Sequence, residues 1–453
     1  MERQLGMAME DLPPSFRDAI EVTRKLGYRY LWIDSLCILQ DSYKDWEIES
    51  GKMQEYYQNS RLTIALDDTA GDHCGFLDEV RQSHTNIITL PFHCTESGGG
   101  LSEIDHAGIP TEEVFLHFSR SKETQARSYK ARSLDKRGWT LQEDILAVRT
   151  IHYGFNQLHW ECQRDRMAEG MRGVVGGSVA SNSVLKRLFL SNLTNNVTDG
   201  SWYGIVEEYM PRELTRPEDM FPAISSIARE VHRQTGFTYR AGIWLEDFHR
   251  GLLWAFCGES ERCGSYVAPT WSWGSIRTIR NPKQHTHYRP QAGENLSVIP
   301  DVKAKLLGCN VTPRGDDTFG QITHAAITLR GLWLWLSEWK STDGILFGTS
   351  RFGDRPKSPW SIKCNFDEEL AHPDWCSGRD FLITPGSDIL QNLYLLQIAF
   401  LPFRDTISGL ASHFLILIPA PTIGHFRRIG VAEADVRDFV YSGDWRWMDI
   451  TIV

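Results

Sequence analysis

The stretch LDKRGWTLQEDIL at 134–146 sets a bulky indole, Trp139, four residues ahead of an acid, Glu143. Four residues is about one helical turn, so in a helix the two side chains lie one above the other on the same face. Partial desolvation against an indole raises the pKa of a carboxylate. It thereby suits such a group to general acid or base work, or to stabilising a cation that develops on a sugar. An acid in a first helical turn also favours the helix macrodipole and can pair with Lys136 or Arg137; it then holds a helix and does no chemistry.

Asp34 is a second candidate. It ends YRYLWID (28–34), a short aromatic and β-branched run that fits a buried strand, with Ser35 and Cys37 close behind. In open α/β sheets ligands gather at the carboxyl ends of parallel strands, where Asp34 would stand, although a strand-end Asp is also a common turn or cap residue. Cys37, in the apolar context SLCIL, reads as a buried packing cysteine rather than a nucleophile. His152 and His159 flank strand-like runs, and each suits a structural role. HWEC at 159–162 puts His159 and Glu161 on one face of a strand, which permits an acid/base pair. The sequence has no GxSxG elbow, no GxxxxGK[ST] phosphate loop and no HExxH zinc helix. Nine cysteines are scattered without the two-residue spacing of a zinc knuckle, so no metal site is expected and reduced thiols account for them.

These residues need elements to position them. Residues 12–26, LPPSFRDAIEVTRKL, place Leu12, Phe16, Ala19, Ile20 and Leu26 at helical spacing, with paired prolines at the start and Gly27 just past the end. YRYLWID follows as a strand. QDSYKDWEIESGKMQEYYQNS then predicts a helix, with Asp45 available as its cap, and RLTIAL (61–66) a second strand. Two strands joined through a helix are what a parallel crossover requires. From 71 to about 132 the pattern weakens and reads as an insertion. RGWTLQEDIL resumes as a helix, and VRTIHY and NQLHWEC form a strand pair closing near 164. Residues 165–200, rich in Gly, Ser and Asn, are the best linker. The region 201–453 begins helical and becomes β-rich beyond 300, in AAITLRGLWLWLSEW, LYLLQIAFLPF, SHFLILIPAP and HFRRIGVAE.

At 453 residues the chain exceeds the usual size of one hydrophobic core, so two domains are expected. A formal net charge of -10 argues against nucleic acid as the main partner. The first residues lack the apolar run of a secretory signal, and no apolar segment reaches the roughly 18 residues that span a bilayer. A cytoplasmic protein is the expectation. Sixteen tryptophans suit an aromatic core or a ligand surface equally.

Taken in order, RYLWIDSLCILQD, DWEIESGKMQEYYQNSRLTIA, RGWTLQEDIL and QLHWEC resemble the fungal heterokaryon incompatibility (HET) domain over roughly residues 12–164. EEYMPRELTRPEDMFPAISSIA, YRAGIW, LLWAF, APTWSWGSI and FRRIGVAE resemble the segment that commonly trails it. The resemblance implies non-self recognition between fungal cells and programmed cell death, through a protein partner or self-association. It also implies a distant likeness to TIR domains, hence an N-terminal α/β domain with a central parallel sheet, followed by a mixed, β-rich C-terminal region. Some TIR domains cleave NAD using a Trp-Cys-x-x-Glu helix. Trp139 and Glu143 keep that spacing, with Thr140 where the Cys stands, so Glu143 carries over as the catalytic residue if the chain is an NAD-cleaving enzyme. Asp34 and Trp139 would then be neighbours of the NAD. HET domains usually begin with a strand like ALSYCWG ahead of the LPPSF helix. No such strand precedes it in this sequence, so the resemblance implies a truncated or degenerate copy.

Overall fold

A computed structural model describes residues 6–67, 74–77, 87–92, 112–117, 133–154, 158–163, 165–168, 201–256, 259–280, 286–288, 304–336, 338–342, 345–349, 359–366, 393–402, 410–435 and 445–453. Most of the expected insertion and nearly all of the expected linker lie outside these residues. The N-terminal part carries helices and strands, and the C-terminal part is built on a large mixed sheet. The chain divides into two compact units that interleave along the sequence. The first takes Met1–Cys37, Asn59–Asp135 and Ala147–Ala180; the second takes Ile38–Gln58, Lys136–Leu146 and Ser181–Val453.

In the first unit, helix α1 (Pro14–Lys25) has Pro at its first turn, and Gly27 follows its end at φ +79°. Its buried positions are Ser15, Asp18, Val22 and Thr23, with Leu12 just upstream. Leu26 of the expected apolar stripe is 50% exposed. Asp18 is buried because it is employed: its Oδ2 accepts the backbone N–H groups of Phe76 and Leu77, the latter at 2.9 Å.

The expected strand at 28–34 is not formed. Residues 28–33 have no ladder partner among the described residues, Tyr30 is 86% exposed, and a short helix α2 (Asp34–Cys37) follows. An aromatic, β-branched run becomes a strand only where another strand pairs with its backbone, and among the described residues none pairs with this one. Cys37, expected buried, is exposed. Strand β1 (Thr63–Leu66) does take part in a parallel pair, with β4 (Arg149–Tyr153). β4 is then paired antiparallel with β5 (Leu158–Cys162), and β5 with β6 (Arg166–Ala168). β2 (Ile87–Phe92) and β3 (Glu112–His117), inside the expected insertion, pair antiparallel.

In the second unit the expected helix after 41 is broken in two, α3 (Tyr43–Gly51) and α4 (Met53–Asn59). The cap is Ser42, whose side chain accepts from the Asp45 backbone at 3.2 Å. Asp45 instead lies in the first turn and accepts from Leu39 N at 2.8 Å. The motif RGWTLQEDIL supplies α5 (Thr140–Leu146), and α6 (Ser201–Tyr209) and α7 (Pro222–Thr235) follow. α5 and α3 both pack on α7. The nine-stranded sheet runs from Lys305–Pro313 at one edge to Glu338–Thr342 at the other, its pairs antiparallel apart from a short parallel contact between His425–Asp435 and Arg446–Ile452.

The tryptophan count finds much of its use in this unit's core. Trp202, Trp244, Trp254, Trp271 and Trp273 are all fully buried. Three of their indole N–H groups are satisfied by backbone: Trp202 and Trp273 both donate to Gly242 O, at 3.2 and 2.8 Å, and Trp254 donates to Trp271 O at 3.0 Å. Arg428, in the FRRIGVAE strand, is also fully buried. Its guanidinium donates to Leu252 O and Trp254 O at 2.7 and 2.5 Å and lies 3.5 Å from the centre of the Trp254 ring.

Candidate functional site

Trp139 sits on the turn just before α5, half-buried against the second unit's core. The turn is held by the segment after α6: Gly138 N donates to Glu213 O at 2.8 Å, and Glu213 N returns to Lys136 O at 2.5 Å. Gly138 fits this approach because a side chain there would run into Leu214. The indole N–H of Trp139 donates to Asp219 Oδ2 at 3.2 Å. Asp219 closes a short 3-10 helix, Pro217–Asp219, and is itself buried. Burial pushes its carboxyl above the usual carboxylate range, while the indole N–H and the nearby Arg216 pull it back and Glu218 pushes it further up.

Two rings of α3 extend this arrangement. Trp46 stands edge-on to Trp139, with centroids 6.3 Å apart and planes at 86°, and Tyr43 lies 5.6 Å from Trp46 at 32°. The Tyr43 hydroxyl donates to Gln321 Oε1 at 3.1 Å. Burial, then Glu47 and Asp219, raise the Tyr43 pKa, against a lowering by Arg314.

Glu143 follows on α5, its backbone N–H directed at Trp139 O at 3.5 Å. Thr140, Leu141, Gln142, Ile145 and Leu146 are buried on the same helix, and Glu143 is half-buried. Trp139 and Glu143 are thus brought into one segment of the second unit. Asp34 belongs to the first unit, is exposed, and uses Oδ1 to accept from Ser35 N at 2.7 Å.

The histidines of the first unit form a second polar centre. His152 Nδ1 lies 3.2 Å from Asp67, which immediately follows β1, and His152 Nε2 lies 4.0 Å from Glu161 Oε2. In the β4–β5 register His152 faces His159 and Thr150 faces Glu161, so all four share one buried face. This bears out the expected shared face of His159 and Glu161. Among the described residues no group of three or more His, Cys, Asp and Glu is arranged to hold a metal ion, and no helix is long and apolar enough to cross a membrane.

Sequence reasoning missed Asp219 and Asp67 because each is remote in sequence from its partner. Asp219 lay in plain view in the quoted block RELTRPEDMF, but nothing local marks an acid 80 positions on as the acceptor for Trp139.

An N-terminal part of mixed helices and strands, with a tryptophan-anchored turn leading into α5, followed by a β-rich region, defines the class of architecture. Residues 2–143 match the family model for heterokaryon incompatibility protein (HET), so this part of the chain is similar to that family. The match ends on Glu143 and leaves QLHWEC beyond it. No curated protein and no solved structure matches the chain.

Proposed function

We propose that the protein acts in heterokaryon incompatibility, in fungal non-self recognition that leads to programmed cell death. On this reading it works in the cytoplasm, mainly through protein–protein contact that includes self-association. The family match over residues 2–143 carries the incompatibility part of the reading. Open apolar side chains support the contact part: Met7, Leu26, Tyr28 and Tyr30 of the first unit are all exposed. Apolar surface that the chain leaves uncovered is what a partner covers.

A second reading keeps a TIR-like central parallel sheet and makes Glu143 the catalytic acid of an NAD-cleaving enzyme, with Asp34 and Trp139 beside the cofactor. The half-buried Glu143, one helical turn from Trp139, favours it. The contact reading is preferred because the polar edge of Trp139 is already taken by Asp219 and the rest of α5 is core packing. Glu143 then holds a helix and cuts no bond.

The deciding experiment incubates purified full-length wild type and Glu143→Gln with NAD, alongside a sedimentation measurement of self-association. The expected result is intact NAD with both proteins and a concentration-dependent oligomer. NAD loss with wild type that Glu143→Gln abolishes would hand the case to the enzymatic reading. Overproduction in a fungal host is expected to arrest growth, and normal growth would remove the incompatibility reading itself.

A further inference from the structure

The aromatic group around Trp139 has a chemistry that neither reading uses. Tyr43 is 53% exposed, Trp46 and Trp139 are half-buried, and the indoles of Trp46 and Trp139 stand nearly perpendicular. Aromatic rings carry negative faces; the edge-on contact of Trp46 and Trp139 uses one face of that pair, and Tyr43 adds a third, more exposed ring beside them. Behind the rings Asp219 spends Oδ2 on the Trp139 indole and makes no other hydrogen bond from its side chain among the described residues. Glu47 and Asp219 both act on Tyr43, the most exposed of the three rings, with Arg314 acting against them.

Ring faces next to a partly desolvated carboxylate complement a cation with an apolar skin. A bare ammonium holds its water too strongly to approach them, whereas an alkylated one loses little on contact and keeps its full charge for the carboxylate. We infer that Tyr43, Trp46 and Trp139, backed by Asp219, bind an alkylated ammonium group. Either a choline-type headgroup or a methylated lysine side chain supplies this chemistry. Two arginines flank the place: Arg314 is 3.3 Å from the Gln321 oxygen that also takes the Tyr43 hydroxyl, and Arg216 acts on Asp219. They disfavour a second positive charge on the ligand. The inference does not rest on the incompatibility reading.

The test titrates the full chain with choline, with Nα-acetyl-Nε-trimethyllysine, whose only positive charge is the alkylated ammonium, and with 3,3-dimethylbutan-1-ol, the uncharged isostere of choline, following tryptophan emission and heat. Saturable binding is expected for both cations, with the alcohol about tenfold weaker or worse, a factor equal to about 1.4 kcal/mol. Tyr43→Leu and Trp46→Leu, both at accessible positions, should each weaken choline binding by about tenfold while thermal melting stays near wild type. Asp219→Asn should weaken it similarly. Tighter binding of trimethyllysine assigns the site to a protein side chain, and tighter binding of choline to a small headgroup. No saturable binding of either cation, equal binding of choline and its isostere, or an unchanged affinity in Trp46→Leu overturns the inference.

Discussion

Asp219 and Glu230 show how the same carboxyl chemistry is tuned in opposite directions within one unit. Burial dominates at Asp219 and raises its pKa, with the Trp139 indole N–H and Arg216 offsetting it only in part. Burial also works against the charge of Glu230. There, side-chain hydrogen bonds from Arg233, at 2.8 and 2.5 Å, and from Gln234, at 2.6 Å, outweigh it and lower the pKa. A folded pKa above the unfolded one gives stability that is complete below the unfolded value and lost as pH rises through the folded one. A lowered pKa gives stability that is present above the unfolded value and lost as pH falls through the folded one. Asp219→Asn should therefore gain in melting temperature relative to wild type as pH rises above the ordinary aspartate value of about 4. Glu230→Gln should be less stable than wild type near neutrality, with the gap closing as pH falls below about 4.5. Thermal melts across that range check both, and parallel profiles for variant and wild type would refute the assignment. At this scale the sequence was legible only locally. The spacing of Trp139 and Glu143 could be read from ten residues, but the acceptor of the Trp139 indole and the acid beside His152 are fixed by tertiary structure.

Among elements, the turn between Tyr239–Arg240 and Ile243–Trp244 has a strict requirement at Gly242. Its φ is +94°, and a Cβ placed there would come within 2.7 Å of Trp273 Nε1. That indole donates to the carbonyl of Gly242, as does Trp202, so one glycine fixes the height of two buried rings. Gly242→Ala should cost about 2 kcal/mol or more, from the strained backbone and displaced indoles together. Urea unfolding followed by tryptophan emission measures this; a variant within about 0.5 kcal/mol of wild type would show that the turn relaxes. By contrast, Gly236 caps α7 at φ +73° with open space around it, so Gly236→Ala should lose only the conformational part. Element existence was legible where a local signal coincided with burial: α1, the β4–β5 pair and the C-terminal strands were all read from the sequence. YRYLWID was misread because composition reports what a segment could bury, and a strand also needs a neighbour. The long helix after 41 was misread as one piece because its break at Lys52 leaves the turn-by-turn spacing of Trp46, Met53 and Tyr56 nearly intact.

At the scale of the molecule, the family match and the compact units divide the chain differently. The match takes residues 2–143 as one stretch, whereas α3, most of α4 and α5 are contacted within the second unit by residues beyond 200. The links are specific. Leu141, Ile145 and Leu146 are at most 2% exposed and share a core with Trp202, Phe221 and Ile224. Gln54 Nε2 donates to Glu230 Oε2 at 3.1 Å, Arg229 Nη1 to Gly51 O at 3.4 Å, and Arg212 Nη1 to Thr140 Oγ1 at 3.1 Å. A fragment ending near 164, where the motifs stop, keeps these helices and removes what they pack on. Uncovering the three aliphatic side chains of α5 alone forfeits about 1.5–3 kcal/mol each, a large share of the stability of an ordinary domain. The fragment should therefore bind an apolar dye and be cut by protease within 136–146, while the full chain resists both. Hydrogen exchange gives the sharpest readout, because the Gly138 amide donates to Glu213 O in the full chain and has no such acceptor in the fragment. Protection at Gly138 in the fragment equal to that in the full chain would mean that the N-terminal stretch builds its own support for α5. The interleaved division would then be wrong.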